Sequence, residues 1–240
     1  MARLEDSYKN MRIDKAFYNE SDYFDEKAPV LTNLNSAFQQ YRISKVLEIY
    51  SPGQNDRVLD LGCGWGTFDF ILAPSVKECI GLDFSHKSIE ICNKILATKG
   101  INNVRFICAN ASETNLVSAS FDVIISADLF EHIYPEDFEH VMDECQRLLK
   151  SGGKLVIWTP NRDHILEILK NHNIILKRDI SHVDYKSMPR LIEACNNRGF
   201  KILKRYYAES HLPIVNIIER LTLRFLPITR RRIAILAEKL

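Results

Sequence analysis

VLDLGCGWG, residues 58–66, is a short apolar, β-rich run that ends in three glycines at alternate positions. A buried strand running out into glycines lets the backbone turn through conformations closed to other residues and approach a ligand closely. Seventeen residues after Gly66, at the end of a second run ECIGLD (78–83), stands Asp83. A carboxylate at that strand end suits a two-pronged hydrogen bond to a ribose diol. A glycine loop with a downstream acid also fits a nicotinamide enzyme. The dinucleotide pattern G-x-G-x-x-G, however, needs glycine where this chain has Thr67, which weakens that reading.

Working outward, VRFICA (104–109), DVIISA (122–127) and KLVIWT (154–159) give three more strands. Between them Ser88–Lys99 reads as a helix stopped by Gly100. Glu136–Lys150 reads as another, with Phe138, Val141, Met142, Cys145, Leu148 and Leu149 on one face. Strand alternating with helix predicts a parallel sheet covered on both faces. Beyond Pro160 the spacing predicts a short helix over 188–197 and two more strands, FKILKRYYA (200–208) and IAILAEK (233–239). Between these strands an insertion carries Ile214, Ile217, Ile218, Leu221 and Phe225 at helical spacing, with Arg220, Arg224 and the run Arg230, Arg231, Arg232. Upstream, the stretch from Asn35 to Tyr50 is loosely helical in its apolar spacing, and residues 1–50 read as a helical N-terminal cover.

The chain has 240 residues, about 1.6 times the usual ~150 per domain, so one elaborated domain is expected. With 46% hydrophobic and 26% charged residues it is neither disordered nor collagen-like. Lys plus Arg (32) against Asp plus Glu (31) leaves a net charge of +1, and no cationic excess to release counterions from a nucleic-acid backbone. Nucleic acid is therefore not the expected partner. Six cysteines without a CxxC pair, and a start without an apolar leader run, predict a reducing, cytoplasmic setting. No stretch approaches the ~20 apolar residues needed to span a bilayer, so any membrane contact is expected to be peripheral.

From about Arg42 onward the order of motifs resembles that of the class I S-adenosylmethionine-dependent methyltransferases. LDLGCGWG is similar to the first motif of that family, GLDFS to its ribose-binding acid and ANASE to its adenine loop. FDVIISADLFEHI is similar to its fourth-strand motif, and LLKSGGKLVIWTP to the helix–turn–strand that follows. The resemblance implies an α/β, Rossmann-like fold: a seven-stranded, mostly parallel sheet with helices on both faces, its antiparallel last strand slotted beside the fifth. Residues 51–240 would be the methyltransferase domain, with 161–190 and 209–230 on the acceptor side.

Within that class SADLFEHI resembles the ubiquinone-biosynthesis type and related small-molecule methyltransferases. The implied cofactor is S-adenosyl-L-methionine, leaving as S-adenosyl-L-homocysteine. Arg42 would face its carboxylate, Gly62, Cys63 and Gly64 its methionine portion, Asp83 and Phe84 the ribose, Asn110 and Ala111 the adenine. The Ala127 backbone would lie near the reactive sulfur, and Asp60 would hold the glycine loop and the amino group. Plainer readings stand beside these: Asp60 as a loop brace only, Arg42 as a surface ion-pair partner, Asn110 as a turn former, Cys63 as a small filler. Asn110 stands where an acid is frequent, yet its carbonyl can still accept from the adenine amino group.

The sulfonium makes the methyl carbon electrophilic, so the protein chiefly aligns the acceptor and excludes water. If the acceptor arrives protonated, His132, His182 and Tyr185 are the candidate bases. A helix beginning at Asp128 would put Asp128, Glu131 and His132 on one face, either as an ordinary capping arrangement or as a site for a divalent metal. The expected activity is methyl transfer to an O or N atom of a small-molecule or lipid-like acceptor; a non-catalytic cofactor-binding module on the same fold is the alternative. DNA adenine methyltransferases carry an Asn/Asp-Pro-Pro-aromatic motif that SADLFEH lacks. Residues 212–232 read either as a basic amphipathic segment touching a membrane surface or as a stripe packed on the domain or a second subunit, its arginines solvated.

Overall fold

The computed structural model describes residues 12–20, 23, 33–174 and 179–240; the remaining parts of the expected N-terminal cover and of segment 161–190 lie outside the described residues. The described helices α1 (Lys15–Glu20) and α2 (Ala37–Ile49) precede the first strand, the second capped by Ser36, whose hydroxyl accepts from Gln39 N–H at 3.2 Å. Then β1 (Arg57–Leu61), α3 (Thr67–Leu72), β2 (Glu78–Asp83), α4 (His86–Ala97), β3 (Val104–Cys108) and β4 (Phe121–Ala127) alternate. The chain continues through α5 (Pro135–Leu148), β5 (Leu149–Pro160), α6 (Ile165–Asn171), α7 (Met188–Asn196), β6 (Phe200–Ala208), α8 (Pro213–Thr222) and β7 (Arg232–Lys239).

The seven strands form one sheet in the order β3-β2-β1-β4-β5-β7-β6. Pairings among the first five are parallel, while β7 lies antiparallel between β5 and β6, the arrangement the resemblance implies. The central strands are mostly apolar because helices cover both faces. On one side Leu59, Ile80, Ile124, Leu155 and Ile235 pack with α5 and α7; on the other Val58, Val123, Val156 and Trp158 pack with α2 and α3.

Several boundaries differ from the sequence reading: α4 runs His86–Ala97, not 88–99, and α5 Pro135–Leu148, not 136–150. β5 begins at Leu149, not Lys154, because Leu149 already pairs with Phe121 before a register shift, so the strand starts directly where α5 ends.

The order of strands reverses between β1 and β4. Successive crossovers leave β1 in opposite directions at that point, so the loops at the C-terminal strand ends part and open a crevice there.

Candidate functional site

A cavity of about 830 Å³ occupies that crevice, within the size range of small-molecule sites. Its walls come from the loops after β1 (Gly62, Cys63, Gly64, Trp65), β2 (Asp83, Phe84), β3 (Asn110, Ala111) and β4 (Asp128, Leu129, Glu131, His132), with Ala127 at the end of β4 itself. Arg42 from α2, Tyr18 from α1, His182, Arg231 and Arg232 complete it. Motifs up to 190 residues apart in sequence thus meet because parallel strands deliver all their C-terminal ends to one edge.

The glycine loop shows why side chains are absent there. Gly62 has φ +79° and Gly64 φ +53°, left-handed conformations that cost other residues free energy. A Cβ on Gly62 would lie 2.8 Å from Leu129 Cδ1, whereas one on Gly64 would meet nothing within 4 Å. Gly62 is thus small for packing, and Gly64 leaves space on the cavity wall. The Asp83 carboxylate accepts from Gly64 N–H (3.1 Å) and Ser85 N–H (2.9 Å), tying the loop to the end of β2. Burial pushes Asp83 up to about 6, against the pull of those backbone donors, so at neutral pH it remains mostly a carboxylate.

Asp60 is buried behind the loop, is not a cavity residue, and its carboxyl faces that of Asp69 on α3, which burial and the neighbouring Asp60 charge push well upward. Burial pushes Asp60 up as well, to about 6. Cys63 lines the cavity as a filler, its thiol driven upward by burial and by Cys92. The Asn110 side chain accepts from Ser112 N–H at 3.1 Å, shaping its turn, though a second lone pair on the same oxygen faces no assigned donor.

Asp128 corrects the sequence reading. No helix begins there: Asp128 sits at φ +60°, and only a single 3₁₀ turn, Phe130–His132, follows. Neither the capping nor the one-face metal arrangement of Asp128, Glu131 and His132 therefore forms. Instead Arg42 Nε donates to Asp128 Oδ2 (2.6 Å) and Arg232 Nη1 to Oδ1 (2.5 Å), while Arg42 Nη2 donates to the Ala127 carbonyl (3.1 Å). Burial opposes ionisation of Asp128, but the two guanidiniums outweigh it and hold the carboxyl below its ordinary range. Arg42 is consequently not a surface ion-pair partner; its side chain is 13% exposed, and it stacks over Phe68.

Glu131 is buried, accepts from the Thr159 hydroxyl at 3.0 Å, and is pushed up to about 8 by burial and by the Asp128 charge. At neutral pH it is mainly the uncharged acid. Among the described residues the group able to surround one ion is Glu131, His132 and His182, with ligand atoms within 4.8 Å of one another.

The two histidines meet edge to face, ring centroids 4.9 Å apart, and do different things. His132 Nδ1 lies 2.9 Å from the Ser181 carbonyl, which can only accept, so Nδ1 carries the proton and Nε2 the lone pair; the Tyr18 hydroxyl is 3.1 Å from the same Nδ1. His182 Nδ1 lies 2.6 Å from the Tyr185 oxygen, and Tyr185 donates to Glu167 at 3.0 Å. Burial and the adjacent His132 push His182 down to about 3, leaving it a neutral ring. Tyr185 is not among the residues lining the cavity; its hydroxyl joins His182 to Glu167, a partner the sequence did not show. Tyr18, in a stretch read as helical cover, and Trp65, inside the glycine motif itself, are among the cavity residues that the sequence reading did not single out.

A protein-family model described as a methyltransferase domain matches residues 52–206. The uncharacterized methyltransferase YcgJ of Bacillus subtilis is 33% identical over 135 residues, 55% of this chain and 52% of that protein. A ubiquinone biosynthesis O-methyltransferase of Sinorhizobium fredii is 31% identical over 111 residues, 46% and 44% of the two chains. The alignments thus span about half the length of these relatives. The fold is also that of an S-adenosylmethionine-dependent methyltransferase from Archaeoglobus fulgidus, with a TM-score of 0.68 over 91% of this chain and all of the other at 21% identity.

Proposed function

The chain belongs to the methyltransferase domain family, and from that premise we propose that it transfers a methyl group from S-adenosylmethionine to an O or N atom of a small-molecule or lipid-like acceptor. The observation that carries this reading is the pairing of Asp83 with the Gly64 loop on the wall of one large cavity. The residues fit the cofactor: Asp83 suits a ribose diol, Gly64 offers a wall without side-chain bulk, and Arg42 adds a cation on the same wall. When bound, the cofactor supplies an electrophilic methyl carbon. The protein's part is to align the acceptor and exclude water, for which the walls of Trp65, Phe84 and Leu129 are suited.

For a protonated acceptor, His132 is the better base of the two histidines. General-base catalysis is most effective when the base is easily protonated near the working pH, and His182 is held far below it. A neutral His182 also adds no charge to oppose a proton arriving on His132. His182, Tyr185 and Glu167 are therefore assigned a positioning role. The likeness to a ubiquinone biosynthesis O-methyltransferase supports an aromatic or lipid-like hydroxyl as the acceptor.

The test is transfer of labelled methyl from S-adenosylmethionine to a panel of phenols, amines and lipids, with S-adenosylhomocysteine binding measured by calorimetry. Turnover of a hydroxyl or amine acceptor is expected; a protein that does not bind S-adenosylhomocysteine overturns the reading. Turnover is also expected to survive EDTA, because Glu131 and His132 already hold Thr159 and Ser181. Loss of activity in EDTA, restored by magnesium or zinc, would instead assign Glu131, His132 and His182 to a metal.

A further inference from the structure

The insertion between β6 and β7 is a helix turned inside out. On α8 the polar side chains face the protein: Glu219 is buried, its Oε1 2.9 Å from His164 Nε2 and its Oε2 accepting from Ser210 N–H, while Asn216 donates to the Ser210 carbonyl at 2.8 Å. The apolar stripe faces out. Ile214 is 76% exposed, Leu221 72% and Phe225 75%, with Ile217 and Ile218 exposed between them. Eight of the fourteen exposed large apolar side chains among the described residues fall within 212–228, a concentration that marks a contact surface and not the scatter of ordinary surfaces.

The expectation that this stripe packs on the domain is therefore overturned. So is the contribution of Arg230, Arg231 and Arg232 to a basic surface. Arg232 is spent on Asp128, Arg231 lines the cavity, and Arg230 donates to the Leu223 carbonyl and lies over Tyr207. The charges left beside the stripe are Arg220 and Arg224, both exposed, and the one acid of the segment, Glu219, is buried. An apolar face whose exposed charge is wholly positive fits an anionic lipid surface. A two-fold contact with a second copy would instead set arginines against arginines.

The face also adjoins the cavity. His211, just before α8, stacks on the cavity residue Phe38 at 5.3 Å, and the chain leaves the insertion through Arg231 and Arg232 on the cavity wall. We propose that α8 and the turn after it dock this protein on anionic membrane surfaces, with Ile214, Ile217, Ile218, Leu221 and Phe225 entering the interface and Arg220 and Arg224 meeting lipid phosphates. No described helix is long and apolar enough to cross a membrane, so the contact is peripheral.

The experiment is co-sedimentation with vesicles, which needs neither cofactor nor acceptor and so fails or succeeds independently of methyl transfer. Wild-type protein is expected to pellet with mixed phosphatidylcholine–phosphatidylglycerol vesicles, more weakly in high salt, and to remain in the supernatant with phosphatidylcholine alone. Arg220→Gln with Arg224→Gln should lower partitioning about 25-fold, roughly fivefold per arginine. Ile217→Ser with Leu221→Ser should lower it about 100-fold; because these side chains touch solvent, circular dichroism and melting should match wild type. The proposal is overturned if wild-type protein ignores anionic vesicles at low salt, if it pellets equally with neutral ones, or if the serine variant pellets as wild type does. A dimer by light scattering that the serine variant dissolves, without vesicle binding, would give the face to a second copy and equally overturn it.

Discussion

Asp83→Ala is expected to weaken S-adenosylhomocysteine binding by about 30- to 800-fold, the equivalent of losing two charge-assisted hydrogen bonds worth about 2–4 kcal/mol together. The structure adds a second reason for a large effect. The carboxylate that would hold the ribose also accepts from Gly64 N–H and Ser85 N–H, so its removal frees the glycine loop as well as the ligand. The sign of the pH dependence follows from burial, which pushes this group up to about 6. Above that value the carboxylate presents acceptors on both oxygens. Below it the proton occupies one, and affinity should fall as the pH drops through about 6. The alanine variant should show no such step. Calorimetry from pH 5 to 8 on both proteins measures this, with folding checked by circular dichroism. Unchanged affinity in the variant would remove Asp83 from the cofactor site.

His132→Gln is expected to lower kcat about 100- to 10,000-fold on a protonated acceptor, the usual contribution of a positioned general base, while cofactor affinity stays within about twofold. Glutamine keeps a donor for the Ser181 carbonyl but offers no basic nitrogen, so the loss reports proton transfer more than packing. Tyr185→Phe, which removes the hydroxyl that joins His182 to Glu167, should have the smaller effect. Equal losses in His132→Gln and Tyr185→Phe would refute the division of roles.

The strands and the glycine loop were legible in the sequence because both are local. Buried parallel strands read as mainly apolar runs, as VLDL and ECIGLD do, and a backbone at φ +79° strongly favours glycine. Asp83 was legible for a related reason: its place at a strand end follows from the strand. Asp128 was not. Its neighbours in sequence suggest a helix start, but its carboxylate is held by Arg42, 86 residues before it, and by Arg232, 104 after it, and those two guanidiniums fix a left-handed backbone instead.

Sequence by itself also determined that α8 carries an apolar stripe, since helical periodicity is a property of spacing alone. It could not determine which way the stripe points. That was decided by Glu219 finding His164, 55 residues away, and Ser210 N–H. Those partners satisfy both oxygens of Glu219 and so make its burial tolerable, with the apolar stripe left facing out. The same long-range pairing decided the chemistry of the histidines: Ser181 set the proton on His132, and Tyr185 with Glu167 held His182. Spacing along the chain records what each segment can form, and only the partners that folding brings together select which face and which nitrogen are used.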